Sequence, residues 1–420
     1  MNTSKELCTS RLSNGLSVIT EEIPESKSTA IGFWVNVGSR DEEAQYYGCS
    51  HFLEHLLFKG TKRRSAKEIS TVIEERGGYL NAFTDRDMTC YHARVLSGDL
   101  HLAVDVLSDM VLNPLLKQKD IEMERTVVLS EIDSRDDDPG DLIHDLYFET
   151  AWGRNSAAHS ILGEKQTLTR LDEKDIRAYF ARHYVPNRMV VTAAGRLEHN
   201  KLVELVEKNL PSTKIAQDNE RKPPSFKPVR DHVLRSSSQV QVALTSEGTP
   251  YKDDRRDALQ LISSYLGVGA SSKLFQEVRE KRGLVYSIFS TNYSLQDAGL
   301  FTILAGTQDK FVVKLLEVEL GELKKMKRGL SASKLERVKH KTIGLTVLRS
   351  ESSESRMLQL GASMLRRGKP KTLSEAIEGL ANVSVESVKK LAEDNFDVGS
   401  LSLTTLGLSK ETRKKVDELF

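Results

Sequence analysis

Cysteine is scarce in this sequence: three residues (Cys8, Cys49, Cys90) in 420, with no Cys-x-x-Cys pair. So sparse and odd a set excludes a disulfide framework and points to a reducing compartment. An excess of either charge is also missing. Lys and Arg number 61 against 60 Asp and Glu, a formal net charge of +1. That excludes a nucleic-acid binder relying on a global positive field, while leaving room for a charged cleft. No run of about eighteen apolar residues occurs, so no membrane-spanning helix is expected. The opening residues MNTSKELCTSRLSNGLSVIT hold neither an apolar signal core nor an Arg-rich amphipathic presequence. The expectation is a cytoplasmic protein that binds neither membrane nor nucleic acid.

Hydrophobic residues make up 39%, enough for a core. At roughly 100–200 residues per domain the length predicts two or more domains. Proline is rare too, yet four of the ten (Pro211, Pro223, Pro224, Pro228) fall between Asn209 and Arg230. This stretch reads as a linker between an N-terminal domain, 1–208, and a C-terminal domain, 231–420. The two sides resemble each other. Val72–Thr84 can be laid on Val278–Ser290, so that Arg76-Gly77 falls on Arg282-Gly283 and Phe83 on Phe289. Further on, Leu168, Leu171, Ile176 and Tyr184 match Leu380, Val383, Val388 and Phe396. A shared order at one long period is the mark of a duplicated domain. Within each half, strand-like segments alternate with helical ones. Arg11–Ile19 reads as two strand segments about an Asn14-Gly15 turn, Ala30–Val37 and Leu80–Val95 as strand, and Ala66–Arg76 and Gly98–Val111 as helix. Hairpins punctuated by helices predict an α+β fold of two repeated domains rather than a doubly wound parallel sheet.

The chemistry lies in His51-Phe-Leu-Glu-His55. On a helix, residues four apart lie on one face about 6 Å apart, so His51 and His55 can chelate one ion. Glu54 falls on the same stripe. Two imidazoles and a carboxylate suit Zn²⁺, and a catalytic site needs a third protein ligand beside an open position. The competing reading is a core helix with two satisfied histidines. A buried stripe carrying three polar groups must satisfy all of them at once, and one ion can do that. H-x-x-E-H is the inverzincin pattern.

The segment Glu122–Glu131 is a second strong helix, with Glu124 and Glu131 seven apart and nearly on one face. Val127, Val128 and Leu129 are expected to embed it in the core, which makes Glu131 the candidate third ligand and Glu124 a candidate partner for a ligating histidine. A solvated acidic face, with Asp133 and Asp136–Asp138 nearby, is the alternative at this point.

His51–His55 followed by Glu131 after seventy-five intervening residues resembles the pitrilysin-type zinc metallopeptidases, close to the small bacterial enzymes akin to the mitochondrial processing peptidase. Gly48–Thr61, Glu124–Ile132 and Gly77–Thr84 resemble three of the family's blocks, and the likeness covers almost the whole chain. It implies one zinc per chain held by His51, His55 and Glu131, with Glu54 as general base and Glu124 supporting a ligand. It implies that Asn81, Ala82 and Phe83 lie on a substrate-binding edge strand. In the second half, Asp257–Leu261 stands opposite the pentapeptide and keeps no ligand pair, but Arg279 and Tyr286 match an Arg and a Tyr that in the family contact the substrate backbone and the oxyanion. The resemblance further implies two domains forming one bowl-shaped half of a chamber, a homodimer, and unfolded peptides as substrates. The alternative is a non-catalytic scaffold or peptide-binding subunit, a role the same fold also serves. Asn155–Gly163 departs from the family's usual form. Cys49 reads as a small buried thiol, and the basic clusters Lys62–Arg64, Lys339–Lys341 and Arg366-Arg367 read as solvated faces.

Overall fold

The computed structural model describes residues 7–211, 215–217 and 220–420. Of the linker, Ser212–Lys214, Asp218 and Asn219 lie outside the described residues. The apolar runs and alternations of the first half form one sheet. Its strands are β1 (Leu7–Arg11), β2 (Ser17–Glu22), β3 (Ser28–Val35), β4 (Tyr79–Thr84), β5 (Thr89–Leu96) and β6 (Met189–Gly195), in the order β1-β2-β6-β3-β5-β4. The second sheet holds β7 (Arg230–Val233), β8 (Val240–Glu247), β9 (Val285–Ser294), β10 (Gly299–Thr307) and β11 (Ser402–Leu406), in the order β7-β11-β8-β10-β9. With β1 set aside the two orders superimpose strand for strand. Each sheet has one parallel pair, β2–β6 or β7–β11, in the same place. The fold is α+β with two repeated domains.

The Asn14-Gly15 turn forms as read. Gly15 takes φ +86°, and the Asn14 Oδ1 accepts from the Leu16 N–H at 3.1 Å, a side-chain turn that asparagine favours. Leu80–Val95 is two strands rather than one continuous segment. A tight turn at 85–88 divides it, closed by Asp85 N–H donating to the Met88 carbonyl at 2.8 Å.

On the first sheet, Ile31, Phe33 and Val35 of β3 face one core. It is shared with α1 (Cys49–Leu57), α2 (Ala66–Glu74) and α3 (Leu100–Leu112). Ala30 and Trp34 face the other side, against Met357 and Leu360. Those two residues belong to the helix Ser353–Arg367, so β3 is buried on both faces, and its unbroken apolar run has that cause. The second sheet is covered in the complementary way. After α4 (Gln118–Asp137) comes α5 (Pro139–Trp152), whose Ile143, Tyr147, Phe148 and Trp152 pack with Ala243, Leu304 and Leu406. A helix from each half of the sequence thus covers the sheet of the other half. The compact units are accordingly discontinuous: 1–132, 160–221 and 348–373 in one, and 133–159, 222–347 and 374–420 in the other.

Two expectations about burial need correction. Along α4, Val128 is buried but Val127 is 41% exposed, because successive residues on a helix point about 100° apart and only one stripe meets the core. The basic clusters are not all solvated. Arg64 bonds Asp109 at 2.9 Å and also pairs with Asp105. Arg366 holds Asp85 at 2.6 Å and Asp87 at 3.2 Å with its side chain largely buried.

Candidate metal centre

Helix α1 begins at Gly48, whose φ of +93° is open to glycine and strained for other residues. Its first turn is capped from outside. The Glu42 carboxylate accepts the Gly48 and Ser50 N–H groups, each at 2.7 Å, satisfying two of the donors a helix start leaves unpaired. Burial pushes the Glu42 carboxyl up to about 8, while those two N–H donors pull it back. Cys49, Phe52, Leu53, Leu56 and Leu57 are buried and fix the helix rotation. His51, Glu54 and His55 occupy the remaining, partly open stripe.

Helix α4 brings Glu131 to that stripe. The Glu131 Oε2 lies 3.8 Å from His51 Nε2 and 3.6 Å from His55 Nε2. The ligand atoms of the three residues all fall within 4.8 Å of one another. Ligands of one tetrahedral zinc, each about 2.0–2.2 Å from the ion, stand roughly 3.3–3.5 Å apart, so the spacing fits a shared ion and is too long for hydrogen bonds. The Oε2 of Glu131 is buried with no hydrogen-bond partner, an atom that needs a cation. Burial, and secondarily the neighbouring His55, push His51 down to about 4, which keeps its imidazole neutral and able to ligate. These residues fit a zinc ion.

Around the three lie further polar groups. His55 Nδ1 meets Glu124 Oε2 at 3.2 Å, the arrangement that fixes the orientation of a ligating imidazole. The other Glu124 oxygen is 2.6 Å from Lys59 Nζ. Glu54 lies beside the cluster, and its carboxyl is raised by burial and drawn back by hydrogen bonds from Thr84 and by His55. The Thr84 hydroxyl donates to Glu54 Oε2 at 2.6 Å. Sequence reasoning placed Thr84 on the edge strand but gave neither it nor Lys59 a role at this centre. Lys59 follows His55 by four, the same spacing that links His51 to His55, and could have been read from that stripe. Thr84 gave no such signal, because its contact needs β4 and α1 placed side by side.

Asn81, Ala82 and Phe83 lie on β4, the end strand of its sheet. Asn81 is exposed, and its Oδ1 accepts the Ala82 N–H at 2.9 Å. Phe83 packs edge-on to Trp34, ring centroids 5.7 Å apart. Arg279 and Tyr286 lie in the other unit and adjoin each other. Arg279, on the one-turn π-helix Phe275–Glu280, places its guanidinium 5.5 Å from the Tyr286 ring centroid and 4.8 Å from that of Phe275. Tyr286, on β9, is 76% exposed. Glu277 ties this turn down through Lys273, Lys281 and Arg282, each at 2.8 Å, and those bonds hold its carboxyl well below the usual range.

A duplicated two-sheet α+β chain with an inverted histidine–glutamate pair on one repeat and none on the other defines a class of metallopeptidase-fold proteins. The chain belongs to the insulinase family, peptidase family M16: residues 17–165 match the family's insulinase domain and residues 170–342 its M16 inactive domain. A zinc protease of Streptomyces coelicolor, described as uncharacterized, is 38% identical over 91% of this chain and 86% of its own length. A Bacillus subtilis protein of the same description is 35% identical over 91% of this chain and 94% of its own. Among solved structures, a protease from Helicobacter pylori superposes with a TM-score of 0.89 at 25% identity, covering 96% of this chain and all of that one. The inactive-domain match spans much of the second repeat, and the cluster of His51, His55 and Glu131 lies outside it.

Proposed function

We propose that this protein is a zinc-dependent endopeptidase or oligopeptidase acting on unfolded peptides or precursor segments. The observation that carries the reading is the convergence of His51, His55 and Glu131 on one point with Glu54 beside it. His51, His55 and Glu131 hold one zinc per chain, and Glu124 orients His55. When bound, the zinc supplies Lewis acidity, lowering the pKa of a water to about 7 and polarising a carbonyl. Glu54 takes the proton of the attacking water and later delivers it to the leaving amine. Asn81, Ala82 and Phe83 belong to the open edge strand on which an extended peptide adds as a further strand. Main-chain bonds read little sequence, which suits a broad substrate range. Arg279 and Tyr286 donate hydrogen bonds to the substrate backbone and the developing oxyanion.

The chain works in the cytoplasm as a homodimer enclosing a chamber, with Arg279 and Tyr286 of one copy serving the centre of the other. One feature supports this arrangement: among the described residues the ligand set lies on one repeat, while Arg279 and Tyr286 lie on the other.

Metal analysis paired with cleavage of an unfolded peptide pool tests the reading. Wild type is expected to carry about one zinc per chain and to cleave. Glu54→Gln should keep the zinc and lose cleavage by about 10²–10⁴-fold. A wild type with neither zinc nor cleavage would leave the scaffold reading standing.

A further inference from the structure

Strand β4 ends its sheet, so one row of its backbone groups faces away from β5. Asp85 N–H turns inward to Met88, and inward and outward groups alternate along a strand. The N–H groups of Ala82 and Thr84 therefore face the open edge. Ala82 N–H is held by the side chain of its neighbour Asn81 at 2.9 Å, a contact an incoming peptide can displace. The Thr84 hydroxyl donates to the carboxylate of Glu54 at 2.6 Å, and the Thr84 backbone adds to the downward pull on that carboxyl. The side chains of Leu80 and Ala82 pack on the core that α1 shares, and Thr84, two further on, points the same way. The open edge thus runs past Ala82 to Thr84, whose side chain holds Glu54.

We infer that Thr84 is a positioning residue that fixes Glu54 in register with a peptide strand added to β4. The inference rests on the peptidase reading. Its physical content is that one residue belongs both to the strand that aligns the substrate and to the hydrogen-bond shell of the base. The carboxylate of a free glutamate is placed by three side-chain torsions. The bond from the hydroxyl of a sheet residue restricts that freedom and ties the base to the frame that carries the substrate, and such alignment acts on the chemical step. A peptide long enough to pair with Ala82 and beyond is held in that same frame. Turnover should therefore rise with the length of chain that can add to the edge, binding energy remote from the scissile bond being expressed in kcat.

The test compares Thr84→Val, which keeps the shape and the backbone N–H but lacks the hydroxyl, with Thr84→Ser, which keeps the hydroxyl. Zinc content, melting temperature and the Kd of a non-hydrolysable peptide analogue are measured beside kcat and KM on a series of peptide lengths. For Thr84→Val the expectation is zinc and analogue Kd within about threefold of wild type, kcat lowered about tenfold or more, KM little changed, and a flattened dependence of kcat on length. Thr84→Ser should restore kcat to within about threefold. Thr84→Val turning over as fast as an active wild type overturns the inference alone. So does Thr84→Ser falling as far as Thr84→Val, or a loss in Thr84→Val that tracks lost zinc or a lowered melting temperature. A wild type that neither binds zinc nor cleaves overturns the peptidase reading, and this inference with it.

Discussion

At the scale of single residues, the centre shows how a helix can carry polar groups on a buried surface. Glu124 is the clearest case. It is buried, yet one oxygen faces His55 and the other faces Lys59, so its charge is compensated and directed. Glu124→Gln keeps the volume and removes the charge. It should weaken zinc binding by about 10–100-fold, measured by competition with a chelator, while the melting temperature of the metal-free chain changes little. Glu319 is the opposite case. It is fully buried in the second unit, and neither oxygen has a hydrogen-bond partner. Burial raises its carboxyl to about 8. Between the ordinary carboxyl value and about 8 the unfolded chain has lost this proton and the folded chain keeps it. Folding stability therefore falls as pH rises through that window and is level above it. Glu319→Met should stabilise the protein, with a gain that is small near pH 4.5 and grows to at most about 5 kcal/mol by pH 8. Denaturant titrations at three pH values would read it, and a gain independent of pH would contradict the assignment.

At the scale of elements, the exchanged helices are the main finding. The helix Ser353–Arg367 reaches the first sheet closely enough that a Cβ added at Gly361 would lie 2.0 Å from the Trp34 ring. Around this contact, Trp34 Nε1 donates to Thr192 Oγ1 at 2.8 Å, and the Thr192 hydroxyl donates to the Met357 carbonyl at 3.0 Å. Gly361→Ala has no room without moving an indole or the helix. It should cost about 1–3 kcal/mol or more, seen as a lower denaturation midpoint, whereas Ala at Gly344, which has open space, should not. The same helix holds the β4–β5 turn through Arg366. Burial, and after it Glu354, pushes Tyr79 of β4 up to about 12, and Glu354 lies 3.4 Å from His92 Nδ1 of β5. The proposed docking strand is therefore backed by a helix encoded some 270 residues later.

At the scale of the whole molecule, the duplication left one repeat with the ligand set and the other without it. Cross-subunit assembly predicts complementation. Glu54→Gln chains and Arg279→Ala chains, each inactive alone, should regain activity when mixed and allowed to exchange. Heterodimers that form and stay inactive would contradict shared centres. The pentapeptide and the α1 stripe were legible in the sequence because helical periodicity is local: spacing alone puts His51 and His55 on one face, whereas Glu131 stood as one of two readings of α4. The repeat was legible because a shared order of elements survives where residue identity does not. The exposure of Val127 was not legible, since apolar character does not say which stripe of α4 meets the core. The partners of Arg366 were not legible either, because Asp85 and Asp87 are distant in the chain.

The sequence by itself determined the two repeats, the α+β class and the histidine pair able to chelate a metal. All of these follow from local spacing and composition. Only the tertiary structure decided that Glu131 completes the cluster rather than joining a solvated acidic face, because that depends on how α4 lies against α1. It alone showed that each sheet is covered by a helix from the other half, and that the Thr84 hydroxyl of β4 bonds Glu54 of α1. Contacts between residues far apart in the chain are fixed by packing and hydrogen bonding in three dimensions, and no periodicity along the chain encodes them.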